Sequence, residues 1–133
     1  LHTYFQVSDV RNVRITGLDH VHYLDKPDAY REKIQSGEIT VTSEIDRIYL
    51  DTAADCIIED PGLNRKIIIA KSGSQSTVVW NPWIEKSAQM GDMDAQAYLH
   101  MLCIESANAA TNRIHLQAGD SHALKVNYQI SNL

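Results

Sequence analysis

The sequence has few of the residues that carry redox, metal or membrane functions. Its 133 residues include two cysteines, Cys56 and Cys103, which lie in short apolar runs without a CxxC pair or other metal-type spacing. Two buried free thiols in a reducing compartment are favoured over a disulfide. No apolar run approaches the roughly 20 residues of a membrane-spanning helix, and no signal segment is recognisable. We therefore expect a cytoplasmic protein without membrane contact.

An excess of positive charge is also missing. The formal net charge is -5, with a sequence pI of about 5.6. Such a chain offers no basic field to nucleic acids or anionic lipids, so we expect neither as a partner. The length corresponds to about one domain with one hydrophobic core.

What the sequence does contain is alternation of apolar and polar residues, separated by turn-forming glycine, proline, asparagine and aspartate. This pattern predicts an all-β fold, a sandwich or barrel of antiparallel strands with little helix. The last predicted strand covers residues 122–130, and a turn at 118–120 makes residues 113–117 its predicted hairpin partner. One face of that strand, from His122 to Ile130, is apolar and expected to be buried.

The middle of the chain predicts a central strand and then a loop. Residues 64–71 contain a continuous apolar run, typical of a strand buried on both faces. Residues 77–80 form a second strand, and Asn81-Pro82 should end it and begin a long loop, with a helical turn possible at 92–97. Further strands are predicted at residues 12–17, 21–24, 38–42, 45–50, 55–58 and 98–105.

Two residues are candidates for acid–base chemistry. Glu105 ends the apolar run 101–104, where burial would raise its pKa above about 4.3 and towards that of a general base. The alternative is an exposed carboxylate at a strand end. His2 lies in the initial strand, on the same face as Tyr4, and histidine can give or take a proton near neutral pH. The alternative for His2 is a hydrogen-bonded wall residue.

Three other polar residues are weaker candidates. Asp46 faces away from its apolar neighbours and could accept hydrogen bonds from a polar ligand, or pair with Arg47. His20 and His22 share a strand face, the minimum for metal chelation, but no further ligand accompanies them and a solvated hairpin is favoured. We therefore predict no metal site.

Five segments, taken in order and spacing, closely resemble those of the glucose-6-phosphate 1-epimerases, the hexose-6-phosphate mutarotases of the aldose 1-epimerase superfamily. The segments are Leu1-His2-Thr3-Tyr4-Phe5 with Val7 and Asp9, Ile45-Asp46-Arg47-Ile48-Tyr49, Thr77-Val78-Val79-Trp80-Asn81-Pro82-Trp83, Met90-Gly91-Asp92-Met93 and Met101-Leu102-Cys103-Ile104-Glu105.

This resemblance implies a galactose-mutarotase-like β-sandwich that interconverts the α and β anomers of a hexose 6-phosphate. It places His2 at the general acid, Glu105 at the general base and Asp46 at the aspartate that hydrogen-bonds sugar hydroxyls. The base removes the anomeric hydroxyl proton while the acid protonates the ring oxygen, and the opened ring recloses with the roles reversed. The reaction needs no cofactor.

The chain departs from the family pattern in length. Members are about twice as long, and nothing here matches the first half, which supplies the phosphate-gripping arginine. The resemblance thus implies that residues 1–133 are a single partial domain, the C-terminal half, with the N-terminal half absent. That half, or a second copy paired through exposed edge strands, is the expected protein partner. Lys86 is the one basic residue near a family motif, and no phosphate ligand is assigned.

Three alternatives remain open at this point. The sandwich could bind a carbohydrate or sugar phosphate without turnover. It could be a glycosidase that uses Asp46 and Glu105 as its two carboxylates, although a histidine acid suits the sequence better. It could also be an inactive fragment of the epimerase.

Overall fold

The computed structural model describes residues 1–91 and 93–133, and almost all of its regular structure is β-strand. The strands are β1 (Tyr4–Gln6), β2 (Arg14–Thr16), β3 (His22–Asp25), β4 (Arg31–Ile34), β5 (Ile45–Tyr49), β6 (Cys56–Asp60), β7 (Arg65–Ser72), β8 (Ser76–Asn81), β9 (Met101–Ala107) and β10 (Lys125–Ser131). Helix α1 spans Trp83–Gln89, and short 3-10 helices occupy Lys26–Asp28, Pro61–Leu63, Ala97–His100 and Ala110–Asn112. Within the described ranges, no helix is long and apolar enough to cross a membrane.

Two antiparallel sheets form the fold. The larger has the order β1-β9-β8-β5-β3-β4, and the smaller has the order β10-β7-β6-β2. Their facing sides enclose the main hydrophobic core, which includes Ile15, Tyr49, Ile58, Ile69 and Ile104, each at most 2% exposed. The all-β sandwich predicted from the alternating pattern is therefore confirmed.

Strand alternation divides the larger sheet into two distinct faces. On β9, Leu102 and Ile104 point into the core between the sheets, so Cys103 and Glu105 lie on the opposite face. This outer face carries a second, smaller apolar cluster that contains Trp80 and Cys103. Both cysteines of the chain are buried and free, as predicted.

The predicted C-terminal hairpin is wrong. Residues 113–117 form no strand and are exposed, whereas β10 pairs along its whole length with β7. Because β7 offers seven pairing positions in the sheet, it outcompetes the short segment 113–117 as a partner. The apolar face of β10 is also not buried, since Tyr128 is 41% exposed and Ile130 is 64% exposed.

Some of the other local predictions are confirmed and others are wrong. β7 is central in its sheet as expected, and most remaining strands lie within a few residues of their predicted bounds. The long loop predicted after Asn81 is instead helix α1, whose first residue donates its backbone N–H to the Asn81 side-chain oxygen. Residues 38–42 form only a single bridge, between Ile15 and Ile39, and β4 was not predicted. Asp92, in the helical turn predicted at 92–97, lies outside the described residues, and a 3-10 helix begins at Ala97.

Candidate active site

The strand register of the larger sheet lines up Asp46 with aromatic and apolar side chains on its outer face. Asp46 on β5 pairs with Trp80 on β8, which pairs with Cys103 on β9, which in turn pairs with Tyr4 on β1. Paired residues point to the same side of a sheet, so the row they form lies on one face. Residues two positions along the same strands therefore join this face as well.

His2 and Glu105 extend this face by one row. The ladder between β1 and β9 continues beyond its last assigned pair, because the backbone nitrogen of Leu1 donates to the carbonyl oxygen of Ser106 at 2.7 Å. His2 consequently lies opposite Glu105, with 3.2 Å between its Nε2 and the carboxylate Oε1. The structure thus brings together the two residues that the sequence named as acid and base.

The two side chains of this pair differ in exposure. Glu105 is 16% exposed, whereas His2 is 52% exposed. Burial raises the pKa of the Glu105 carboxyl group above its ordinary value, and the adjacent His2 lowers it in part. Asp46 adds a further increase in the Glu105 pKa, and Lys26 a further decrease. A carboxylate with a raised pKa beside a histidine can exchange protons with a ligand near neutral pH.

Aromatic rings hold the imidazole of His2 in place. The ring of Tyr4 stacks on it with 4.9 Å between centroids and 12° between planes. Trp80 meets the same imidazole edge-on at 5.8 Å, and Tyr4 also contacts Trp80. Such pairs restrict ring orientation as well as burying apolar area. The imidazole therefore contacts two aromatic rings, the exposed Tyr4 and the buried Trp80.

Asp46 is almost completely buried, with 9% of its side chain exposed. Its Oδ2 is 2.7 Å from the Nζ of Lys26, but among the described residues its Oδ1 has no hydrogen-bond partner. Buried carboxylate oxygens nearly always have donors, so a buried oxygen without a described partner is an unusual feature of this site. The pairing with Arg47 does not form, because alternation puts Arg47 on the core-facing side, 4.9 Å above the Tyr23 ring.

The other polar candidates lie apart from this site. His22 Nδ1 is 2.7 Å from Glu32, and His20 is 3.4 Å from Asp19. Across residues 1–91 and 93–133, no three histidine, cysteine, aspartate or glutamate side chains are grouped so that they could hold a metal ion. Lys86 does approach the site, with 4.0 Å from its Nζ to Asp46, although Glu44 is closer at 3.0 Å.

Sequence reasoning gave no reason to single out Lys26. The strand register explains its position. The β3–β5 pairing of Asp25 with Arg47, continued by one residue, places Lys26 opposite Asp46. That register becomes visible only when the pairing of the two strands is known. Lys26 is therefore a site residue that the tertiary structure reveals.

Two packed antiparallel sheets, the larger carrying this polar group on its outer face, define a mutarotase-like β-sandwich. The profile of one family, "Aldose 1-epimerase", matches residues 1–129. The chain belongs to the aldose 1-epimerase family.

Individual relatives agree with this assignment. A protein from Cenchrus ciliaris named "Putative glucose-6-phosphate 1-epimerase" is 38% identical over 120 residues, which cover 90% of this chain and 36% of that protein. A protein of the same name from Salmonella typhimurium is 36% identical over 110 residues, covering 82% of this chain and 37% of that protein. The crystal structure of a "putative mutarotase" from Salmonella typhimurium superimposes with a TM-score of 0.75 at 36% identity, covering 80% of this chain and 36% of the other. The chain thus spans little more than a third of the length of these relatives.

Proposed function

We propose that this chain is part of a hexose-6-phosphate 1-epimerase, with Glu105 as general base, His2 as general acid and Asp46 as a ligand for sugar hydroxyls. The observation that carries the proposal is the 3.2 Å approach of His2 to Glu105 on the outer sheet face, beside the buried Asp46. The glucose-6-phosphate 1-epimerase names of the relatives support the substrate class.

The chemistry follows from the protonation states of the pair. Ionised Glu105 removes the proton of the anomeric hydroxyl while protonated His2 donates to the ring oxygen, and the bond between the anomeric carbon and that oxygen breaks. The open aldehyde rotates about its next carbon–carbon bond and recloses, with Glu105 now giving the proton and His2 taking it. Burial, which raises the Glu105 pKa, makes its carboxylate a stronger base than an exposed glutamate.

His2 is the more exposed member of this pair, and Asp46 is buried on the same face of the larger sheet. A sugar ring held by Asp46 would therefore rest on the sheet face, with its anomeric centre at the acid–base pair. The free Oδ1 of Asp46 is the acceptor for a ring hydroxyl. Positioning of this kind is needed because proton transfer requires the reacting atoms to lie within hydrogen-bond reach.

The test is the rate at which α-glucose 6-phosphate reaches anomeric equilibrium, followed by NMR exchange spectroscopy with the full gene product and with this chain. Glu105→Gln and His2→Asn should each lower the catalysed rate by about 10²- to 10⁴-fold, the usual contribution of a positioned acid or base. The control is Glu32→Gln, since Glu32 forms a second His–Glu pair with His22 on β3 and β4.

The control should keep the wild-type rate. Wild-type rates in both site variants would refute the mechanism. Protection of the fold by glucose 6-phosphate without faster anomerisation would instead favour the sugar-binding alternative, and release of sugar from aryl glycosides would favour the glycosidase.

We further propose that residues 1–133 are one partial domain whose fold is completed by the rest of the family sandwich. The larger sheet ends at β1, and the side of β10 that faces it carries the exposed Tyr128 and Ile130. Tyr128 contacts the segment at and just before β1, through a 2.6 Å hydrogen bond between its hydroxyl and that of Thr3 and ring contact with Phe5. Further strands added beyond β1 would cover this apolar face.

Hydrogen exchange separates this proposal from a self-contained domain. In the full gene product, the backbone amides of β1 and β10 should be protected, whereas in the isolated chain they should exchange rapidly unless self-association covers them. If the β1 amides were equally protected in the full gene product and in an isolated chain that is monomeric, the proposal of a partial domain would be contradicted. Ile130→Lys should reduce any self-association of the isolated chain, measured by light scattering.

A further inference from the structure

Lys26 occupies a position that the backbone determines. It is the first residue of the 3-10 helix Lys26–Asp28, which directly follows β3, and Pro27 restricts the next backbone angle. The β3–β5 register brings Lys26 opposite Asp46, and 2.7 Å separates its Nζ from Oδ2. Because the 3-10 helix packs against β5, the Lys26 ammonium group lies beside Asp46 on the outer face of the larger sheet.

This contact determines which oxygen of Asp46 is free. Lys26 engages Oδ2, and Oδ1 is left buried without a described partner. Rotation of the carboxylate would exchange the two oxygens only by breaking a charge-assisted contact, which is stronger than an ordinary hydrogen bond. Lys26 thereby fixes the orientation of the Asp46 carboxylate on the outer face of the larger sheet.

Lys26 also balances charge on the outer face. His2, which precedes β1, contacts Glu105 directly, and the charges of Asp46, Lys26 and the backbone nitrogen of Leu1 also act on the Glu105 carboxyl group. Of these, Asp46 is the one that repels a negative charge on Glu105. Lys86 is a poorer substitute for Lys26, because it lies 4.0 Å from Asp46, is 43% exposed and is engaged by Glu44.

From this geometry we propose that Lys26 is a positioning residue that holds Asp46 ready to accept a ligand hydroxyl and screens Glu105 from the charge of Asp46. The catalytic meaning of this role rests on the proposed function of Glu105, His2 and Asp46. The electrostatic screening of Glu105 can be measured without turnover.

The experiment compares Lys26→Met with Lys26→Arg and a matched control, Lys33→Met. Lys33 is 35% exposed, against 33% for Lys26, and contacts Asp25 and Asp28 on the other side of the sheet. The first measurement is the titration of the Glu105 carboxyl carbon by NMR. Its midpoint should move to higher pH in Lys26→Met, because a cation that lowers the Glu105 pKa is lost. It should return towards wild type in Lys26→Arg and stay unchanged in Lys33→Met.

The second measurement is kcat/KM for anomerisation in the full gene product. Lys26→Met should lower it by about 10- to 100-fold, the usual worth of a hydrogen bond to a charged group, and the acid limb of its pH profile should move upward. In an Asp46→Asn background the same substitution should cost much less, because the carboxylate that it orients is gone. The double variant Lys26→Met, Asp46→Asn removes both charges, so neither charge is left without its partner. It therefore controls for a loss of activity that is caused by misfolding.

An unchanged Glu105 titration in Lys26→Met, or an equal change in Lys33→Met, would overturn the inference. So would equal losses from Lys26→Met with and without the Asp46 carboxylate. If Glu105→Gln leaves anomerisation intact while Lys26→Met moves the Glu105 titration, the proposed function fails but the screening by Lys26 holds. The two results therefore separate the inference from the function on which its catalytic meaning rests.

Discussion

Lys71 should reduce the stability of this fold at neutral pH. Its side chain lies on the core-facing side of β7, as do Ile67 and Ile69, and its Nζ donates a 2.7 Å hydrogen bond to Thr77 on the opposite sheet. Burial lowers the pKa of Lys71 from 10.5 to about 8, and the nearby Cys56 opposes this only in part. The fold therefore disfavours the charged form of this lysine.

The size of the effect follows from that difference in pKa. The difference between 10.5 and about 8, at about 1.4 kcal/mol for each pKa unit, sets an upper bound of about 3.5 kcal/mol. Lys71 is only half-buried, so solvent screening should reduce the cost to about 1–2 kcal/mol. Lys71→Met should stabilise the fold by removing this cost, but it also removes the hydrogen bond to Thr77, which reduces the gain by about 1 kcal/mol. The double variant Lys71→Met, Thr77→Val avoids this loss because it removes both polar groups.

The pH dependence of the stability difference between the variants and wild type is a stronger test than its size. Below about pH 8 the folded and unfolded chains both carry the charge, so the full penalty applies. Between about 8 and 10.5 the folded chain has released a proton that the unfolded chain still binds, and the penalty fades as pH rises. The stability advantage of the variants over wild type should thus be constant at pH 6–7.5 and shrink from pH 8 upward.

Urea unfolding followed by tryptophan fluorescence measures this advantage at each pH. Lys66→Met serves as the control, because Lys66 lies on the same strand with its side chain on the other face. An advantage that stays constant from pH 7 to 10, or that Lys66→Met reproduces, would refute the assignment of the penalty to burial of Lys71.

Two further predictions concern stability at other positions. Because burial raises the pKa of Glu105, its ionised form is disfavoured in the folded chain, so Glu105→Gln should gain stability relative to wild type as pH rises above 4.5. Urea unfolding at pH 4–8 checks this prediction. A stability difference between variant and wild type that falls as pH rises would contradict it. Gly17 has φ +97°, and an added Cβ would clash with the Asp55 carbonyl oxygen. Gly17→Ala should therefore lower the free energy of unfolding by more than about 1 kcal/mol, whereas Gly37→Ala, with open space around its Cα, should cost less.

The sequence by itself determined the all-β class and, within the strands that it predicted correctly, the side of the strand on which each residue lies. Alternation placed Asp46 opposite Ile45 and Arg47, and the apolar run before Glu105 marked a buried strand, although β9 continues past this carboxylate to Ala107. These properties could be predicted because side-chain direction along a strand depends only on local chain geometry. The family resemblance then singled out His2, Glu105 and Asp46.

Only the tertiary structure decided which strands pair and in which register. Pairing joins β10 to β7 instead of to residues 113–117, sets His2 against Glu105 across β1 and β9, and brings Lys26 to Asp46 across β3 and β5. Each of these contacts joins residues distant in the sequence, and local periodicity is the same for every register that keeps the faces matched. The partner of a strand is therefore set by competition among long-range pairings, which no single segment encodes.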